Sequence, residues 1–507
     1  MTADLRGLGR GSAGAVSVPD APRGTGILHL GLGSFHRAHQ AVYTAAALPA
    51  GGDWGIIGVA SRSRGIVDAL HEQDLLYSVA TVSPRGMSMS IPGVHTGAYV
   101  AADEPERVVA DLADDDIRIV TLTVTENGYS YSPSSQHLDV ADPIVRADLQ
   151  GGAPRSTIGQ LARGLQRRSA SGAAPISVLS CDNLSANGSH TEKLVREFLH
   201  ELPGGQGADV LAYLDRAVTF PSSMVDRIVP ATTASLRDQV AATLGVRDGI
   251  PVPAEPFTMW AIEDRFAGGR PAWELGGAVF TDEVGRYEQL KVRLLNGTHS
   301  LIAYLGALRG VATIPEAIAL DGIESAARAV MRGEYEPSID APTGVDVRDY
   351  ERQLFARWGN SALGHRTSQV GTDGSVKLRQ RIPAPAMRAL ALGEMPHLIA
   401  LTVAAYLSCV APLRGFEPGV HAEAMTDAAR EQLSAVASTA IAGRDIAEYA
   451  ICDMRLFGDE LAGQPAFIER VGELIDTIVR RGVDAAIADS VSASGGAALR
   501  TAAGVAP

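Results

Sequence analysis

The apolar runs of this chain follow two rhythms, and the change between them near residue 290 constrains its fold more than any other feature. Before that point, short runs at residues 27–30, 54–60, 117–125, 176–180 and 217–220 alternate with helical segments such as "PERVVADLADDD". Strands this short, separated by helices, belong in a parallel sheet wound on both faces. Beyond it, "LKVRLLNGTHSLIAYLGALRG", "MPHLIALTVAAYLSCV", "DAAREQLSAVASTA" and "FIERVGELIDTIVRRGVDAAIA" repeat apolar residues at the three-to-four spacing of helices. At 507 residues the chain exceeds what one hydrophobic core serves. The pattern predicts an α/β, doubly wound domain over residues 25–285 and a mainly α-helical domain over 286–490. Residues 1–24 and 491–507 are rich in small residues and are expected to be flexible.

Composition narrows the class. An apolar fraction of 46% with 20% charged residues suits a soluble globular protein. The net charge of −14 disfavours a nucleic-acid or anionic-membrane partner, although a local basic pocket can still take an anionic small molecule. Cys181, Cys409 and Cys452 lie far apart and have no paired spacing, so neither a disulfide framework nor a metal site is expected. No signal-like h-region opens the sequence, and no run reaches the ~18 apolar residues of a membrane span. A cytoplasmic protein is the expectation, with the sequons at Asn183, Asn187 and Asn296 idle.

The stretch "GILHLGLGSFHRAHQ" sets Gly31 and Gly33 directly after the first run. In a Rossmann-like fold the first glycine makes the tight turn, the second admits the pyrophosphate, and the next helix aims its amides at the phosphates. His36 stands where a third glycine would complete the fingerprint, so a tight turn without a ligand stays open as the plainer alternative. The place of the turn, on the first strand of an alternating domain, favours the dinucleotide. Gly31, Gly33, Ser34, Phe35 and His36 are then the candidate cofactor contacts. Asp53 has the sequence distance of a ribose-binding acid but precedes the second strand. That strand ends in "SRSRG", where Arg62 and Arg64 suit a 2′-phosphate, so NADP competes with NAD.

Three polar clusters, "TVTENGYS", "SCDNLSANGSH" and "FPSSMVDRIVP", follow the third, fourth and fifth runs, where a doubly wound sheet binds its ligands. Ser180, Asp182 and Asn183 can equally cap turns and helices there; three clusters in succession favour a shared site. The helical half opens on "LKVRLLNGTH", which adds an amine, an amide and an imidazole at Lys291, Asn296 and His299. On an α-helix Asn296 lies about 140° and His299 about 80° around from Lys291, on one broad face. Singly, Lys291 reads as a surface residue with a buried stem and His299 as a core histidine. As a set they can take a proton from an alcohol while hydride leaves for a nicotinamide.

In this order, "GLGSFHRAHQAVYT", "TLTVTENGY", "SCDNLSANG", "FPSSMVDRIVP", "EPFTMWAIEDRF" and "YEQLKVRLLNGTH" make the chain resemble the mannitol dehydrogenase family of polyol-specific long-chain dehydrogenases and reductases. The resemblance covers most of the chain, from about residue 26. It implies that Lys291 is the general base, that Asn296 and Asn187 form an oxyanion-stabilising pair, and that His299 bonds a substrate hydroxyl. Glu126 and Glu288 match acids of the site, and Asp226 matches a substrate-contacting aspartate. The implied cofactor is NAD without metal, the implied partner a small polyol or sugar acid, and the family includes monomers.

One departure bears on substrate. Gln369 stands where mannitol 2-dehydrogenases of the family carry an arginine, and the arginine moves to Arg366 in "HRTSQVGTDGSVK", while Lys377 keeps its place. That form is more similar to members acting on sugar acids, which makes His365, Arg366 and Lys377 candidates for holding a carboxylate or phosphate; a plain ion pair of Arg366 with a nearby acid is the alternative. Mannitol/fructose, mannonate/fructuronate and mannitol 1-phosphate/fructose 6-phosphate compete as substrate pairs. A non-catalytic dinucleotide sensor is the other class, against which the intact Lys291–Asn296–His299 set argues.

Overall fold

The computed structural model describes residues 5–12, 16–132 and 135–503, and it divides into two compact units, Met1–Gly285 and Arg286–Pro507. The first is built on six strands: β1 (Thr25–Leu30), β2 (Gly55–Ala60), β3 (His95–Val100), β4 (Ile119–Leu122), β5 (Ile176–Ser180) and β6 (Val218–Thr219). They pair in the order β3-β2-β1-β4-β5-β6, all parallel. This is the dinucleotide-binding order, and the strand sequence reverses between β1 and β4. Every residue of β4 and β5 is buried, as strands covered on both faces require. One face packs against Leu112, Leu161, Val195 and Phe198 from three helices. The other carries Tyr43, Trp54, Trp260 and Trp273.

All five apolar runs contribute strands to this sheet. The run at 117–125 is strand only over Ile119–Leu122, because the chain leaves extended geometry at Thr125, whose φ is +64°. The sequence did not reveal β3. It begins His95–Thr96–Gly97, without a sustained apolar run or alternation, and follows a hairpin of Val79–Ser83 with Gly86–Ser90.

The second unit is helical. At its centre the helix His397–Val410 buries every residue after the first, the pattern of a core helix that is apolar all round. Pro396 gives it no side-chain cap. Glu334 replaces the cap from a distant segment, accepting the Leu398 and Ile399 amides at 2.9 and 2.7 Å. Among the described residues no helix is long and apolar enough to cross a membrane.

Described residues near both chain ends take part in local structure. Leu8 is buried against Leu76, Val240 and Leu244, and its amide bonds the Arg247 carbonyl at 2.8 Å. The final helix spans Val483–Ala503, and Ser494 within it donates to Glu334 at 3.3 Å. Residues 504–507 lie outside the described residues. The small residues here are compatible with helix, since alanine favours helix strongly.

Glu334 links this architecture to pH. Burial pushes its carboxyl up from the ordinary 4.5 to about 7. Between those values the folded chain holds a proton that the unfolded chain has released, so this group's contribution falls as pH rises from 4.5 through 7. Glu334→Gln is expected to flatten that slope, worth about 3 kcal/mol at most, in denaturant titrations at pH 5, 6 and 7.5. Glu334→Ala leaves two helix-end amides bare and should cost about 1–3 kcal/mol at any pH.

Candidate active site

The glycine turn sits at the point where strand order reverses. Gly31 follows β1 with φ +104°, and a Cβ there would lie 2.1 Å from the Thr123 carbonyl just past β4. Only glycine permits both the dihedral and the approach. Gly33 caps the short helix Ser34–Ala38, and a Cβ on it would meet nothing closer than 3.7 Å, so the space beside it is open to a ligand. Ser34 and Phe35 are part-exposed there. These residues fit a dinucleotide.

His36 does not line that opening. Its imidazole is buried, stacked on His29 with ring centroids 3.4 Å apart and 3.3 Å from His95 between Nε2 atoms. It supports the turn from below, which corrects its expected place among the contacts. His29 Nε2 lies 3.1 Å from the Gly31 carbonyl and its Nδ1 2.8 Å from the Thr121 hydroxyl. A neutral ring carrying its proton on Nε2 satisfies both. Burial lowers the pKa of His29 and of His95 to about 3 and that of His36 well below its usual value. Arg62 and Arg64 are exposed, and Arg64 pairs with Asp103 at 2.5 Å.

The three polar clusters meet, largely through bonds to one another. Asp182 accepts the Val124 and Thr125 amides at 3.0 and 2.9 Å and the Tyr129 hydroxyl at 2.8 Å. Asn187 opens the helix Asn187–His200. It donates both amide hydrogens, to the Asp182 carbonyl at 3.0 Å and the Ser223 carbonyl at 2.8 Å, and its Oδ1 accepts the Ser223 amide at 2.9 Å. It thereby fastens the end of β5 to β7 (Ser223–Asp226). A substrate oxygen that met Asn187 would displace or share one of these bonds. Asp226 is buried at the end of β7, whereas Glu126 is exposed in a short 3₁₀ turn.

In the second unit, Lys291 and Asn296 belong to a π-helical segment, Lys291–Gly297, set between the α-helices Val284–Leu290 and Thr298–Leu308. The α-helical estimate of 140° between them is thereby corrected. Where the amide of residue i+5 bonds the carbonyl of residue i, Asn296 is stacked one turn beyond Lys291. Glu288 stands three residues earlier, part-buried like both. Among the described residues the Asn296 side-chain amide makes no hydrogen bond, and the buried His299 Nε2 has no partner either. Aromatic rings surround His299: His365 at 5.1 Å, edge-on, and Trp358 at 6.1 Å.

Several charged groups act on His299. Its pKa falls well below the usual value, through burial first and then through His365, Arg381, Arg357 and Lys377. Arg366 is absent from that set. Its side chain is exposed, and its backbone bridges to Thr313. Arg357 and Arg381 act on His299 instead, and the sequence offered no signal for either, since both sit in charged helical stretches that read as solvated faces.

Comparison with known proteins agrees with this architecture. Residues 25–275 match the mannitol dehydrogenase Rossmann domain and residues 283–479 the mannitol dehydrogenase C-terminal domain. The D-mannonate oxidoreductase of Escherichia coli is 38% identical over 75% of this chain and 79% of its own length. A mannitol 2-dehydrogenase of Phaeosphaeria nodorum is 34% identical over 91% of this chain and 81% of its own. The structure of Pseudomonas fluorescens mannitol 2-dehydrogenase, a ternary complex with NAD and D-mannitol, superposes with a TM-score of 0.81 at 32% identity, covering 97% of this chain and 96% of that one. A chain with this fold and these relatives is an oxidoreductase with a Rossmann domain. It belongs to the mannitol dehydrogenase family.

The histidine stack under the glycine turn makes an acid-lability prediction. These rings are neutral in the fold, whereas the unfolded chain takes up protons below about pH 6.5. Their contribution is therefore intact above pH 6.5 and lost as pH falls toward 3. Unfolding free energies from denaturant titrations should drop steeply between pH 6.5 and 4.5, by several kcal/mol in total. His95→Asn should show a shallower drop; an identical slope would assign the acid lability elsewhere.

Proposed function

We propose that the protein is an NAD-linked dehydrogenase, working on a secondary alcohol of a mannitol-type polyol or its acid derivative and, in reverse, on the corresponding ketose or ketouronate. The observation that carries this is the π segment that holds Lys291 and Asn296 five residues apart, followed by a buried His299 with an unpartnered Nε2, in a chain that also carries a dinucleotide-binding sheet. A bound NAD supplies the hydride acceptor. Lys291, as the neutral amine, takes the hydroxyl proton of the carbon that loses hydride, and that carbon becomes a carbonyl. The Asn296 amide donates to the oxygen as charge develops on it. His299, held neutral by burial and neighbouring cations, keeps one ring nitrogen as acceptor for a second substrate hydroxyl. NAD is favoured over NADP because Arg64, the arginine nearest the expected 2′-phosphate, is already paired with Asp103. A cytoplasmic setting belongs to the same proposal.

Within that class the acid derivatives are favoured. Beside the neutral ring of His365, the charges acting on His299 come from Arg381, Arg357 and Lys377, and Lys377 and Arg357 also act on His365. A sugar carboxylate complements such a site.

Oxidation of NADH and NADPH should be followed with fructose, fructuronate and fructose 6-phosphate. NADH with fructuronate is expected to react best. Lys291→Ala should lose about 10²–10⁴-fold in kcat with little change in nucleotide affinity. Near-normal turnover of that variant across pH would remove Lys291 as the base. Tight nucleotide binding without turnover on the whole panel would favour a sensor. In a separate test of substrate class, Arg357→Met should raise KM for fructuronate about tenfold more than for fructose; equal effects on the two would refute the carboxylate reading.

A further inference from the structure

We propose that Arg381 is a positioning residue: by bonding the main chain at Asn296 it holds residues 291–297 in the π-helical register that stacks Asn296 on Lys291. The proposal rests on the reading that these two side chains are the working groups. Its physical starting point is that a π segment is rare. Such segments survive only where the surroundings fix them.

Three contacts fix this one. Arg381 Nη1 donates to the Asn296 carbonyl at 3.2 Å and to the Ser300 hydroxyl oxygen at 2.7 Å. The Ser300 hydroxyl donates to the same carbonyl at 3.1 Å, closing a triangle of bonds where the π segment returns to α-helix. On the next residue, the Tyr335 ring lies so close to Gly297 that a Cβ there would come within 2.5 Å of Cζ. Tyr335 itself ends a second π segment, Met331–Tyr335. The register at 291–297 is thus held by a side chain that bonds its carbonyl and a ring that demands its glycine.

The character of Arg381 separates this from ordinary packing. Among the described residues no carboxylate pairs with its guanidinium, and the charges acting on it come from Tyr304 and Tyr335. Burial lowers its pKa. A part-buried cation bonded only to neutral oxygens is costly for the fold, and an apolar residue of similar length would fill the space more cheaply. What methionine could not supply is an N–H donor for the Asn296 carbonyl, or a positive charge felt at His299.

Arg381→Met and Arg381→Lys test this with two independent readouts, amide hydrogen exchange and steady-state kinetics. In Arg381→Met, amides of residues 294–301 should exchange about tenfold faster or more while β1, β4 and β5 keep their protection. Its kcat should fall about 10²-fold, as expected when a reacting group is displaced by about 1 Å, with NADH affinity unchanged. Arg381→Lys, which keeps one donor and the charge, should recover part of both and keeps the test open if the methionine variant fails to fold. Wild-type exchange and turnover in a folded variant would overturn the proposal. So would a uniform rise in exchange with normal turnover per folded molecule, which marks a merely structural arginine. Local exchange changes in a protein whose wild type turns over nothing on the ketose and uronate panel would leave the positioning role standing and refute the functional reading instead.

Discussion

The main-chain hydrogen bonds of residues 291–297 set what this family member can do with its three polar helix residues. In a regular α-helix, Lys291 and Asn296 diverge by more than a third of a turn. One extra residue in the turn stacks them, and the following α-helix then begins with His299 in its first turn. The leucines at 294 and 295 are buried in that same segment. A single stretch therefore anchors the helical unit and presents an amine and an unbonded amide on part-exposed surface. Local irregularity inside an otherwise apolar helix is a direct way to meet both demands, since a loop carrying the same groups would lack their fixed spacing.

The glycine turn in the first unit solves the opposite problem. There the chain must come so close to a neighbouring strand end that no side chain fits, and Gly31 does so against Thr123 where the sheet order reverses. What stabilises the turn is unusual: a neutral histidine on β1 bonds the Gly31 carbonyl, and a second histidine stacks beneath it where a third glycine is common. The large ring of His36 thus performs by packing what a glycine does by absence, filling the space between the first helix and the sheet. Because these rings must stay neutral, the turn depends on pH in a way a purely glycine-built one does not.

How much of this was legible in the sequence depends on whether the cause was local. The five apolar runs marked five of the six sheet strands, and the switch to helical spacing marked the second unit. Strand β3 escaped because a mixed His–Thr–Gly start carries neither alternation nor an apolar run. The grouping of Lys291, Asn296 and His299 was visible, but their stacking was not, because a π turn is imposed by contacts from Arg381 and Tyr335, residues distant in sequence. Asn187 shows the same limit from the other side. Its side chain is committed to Asp182 and Ser223 carbonyls, and nothing in "CDNLSANG" distinguishes a free amide from a committed one.

The cationic surroundings of His299 follow from the same kind of long-range assembly. Arg357, Lys377 and Arg381 come from two helices whose sequences look like solvated faces. Collecting positive charge around a buried imidazole opposes folding, since each cation is partly removed from water. A negative charge placed among them would offset part of that cost. A charge already present on a bound substrate would do so equally before and during reaction, whereas one that grows on an alcohol oxygen would favour the transition state over the ground state.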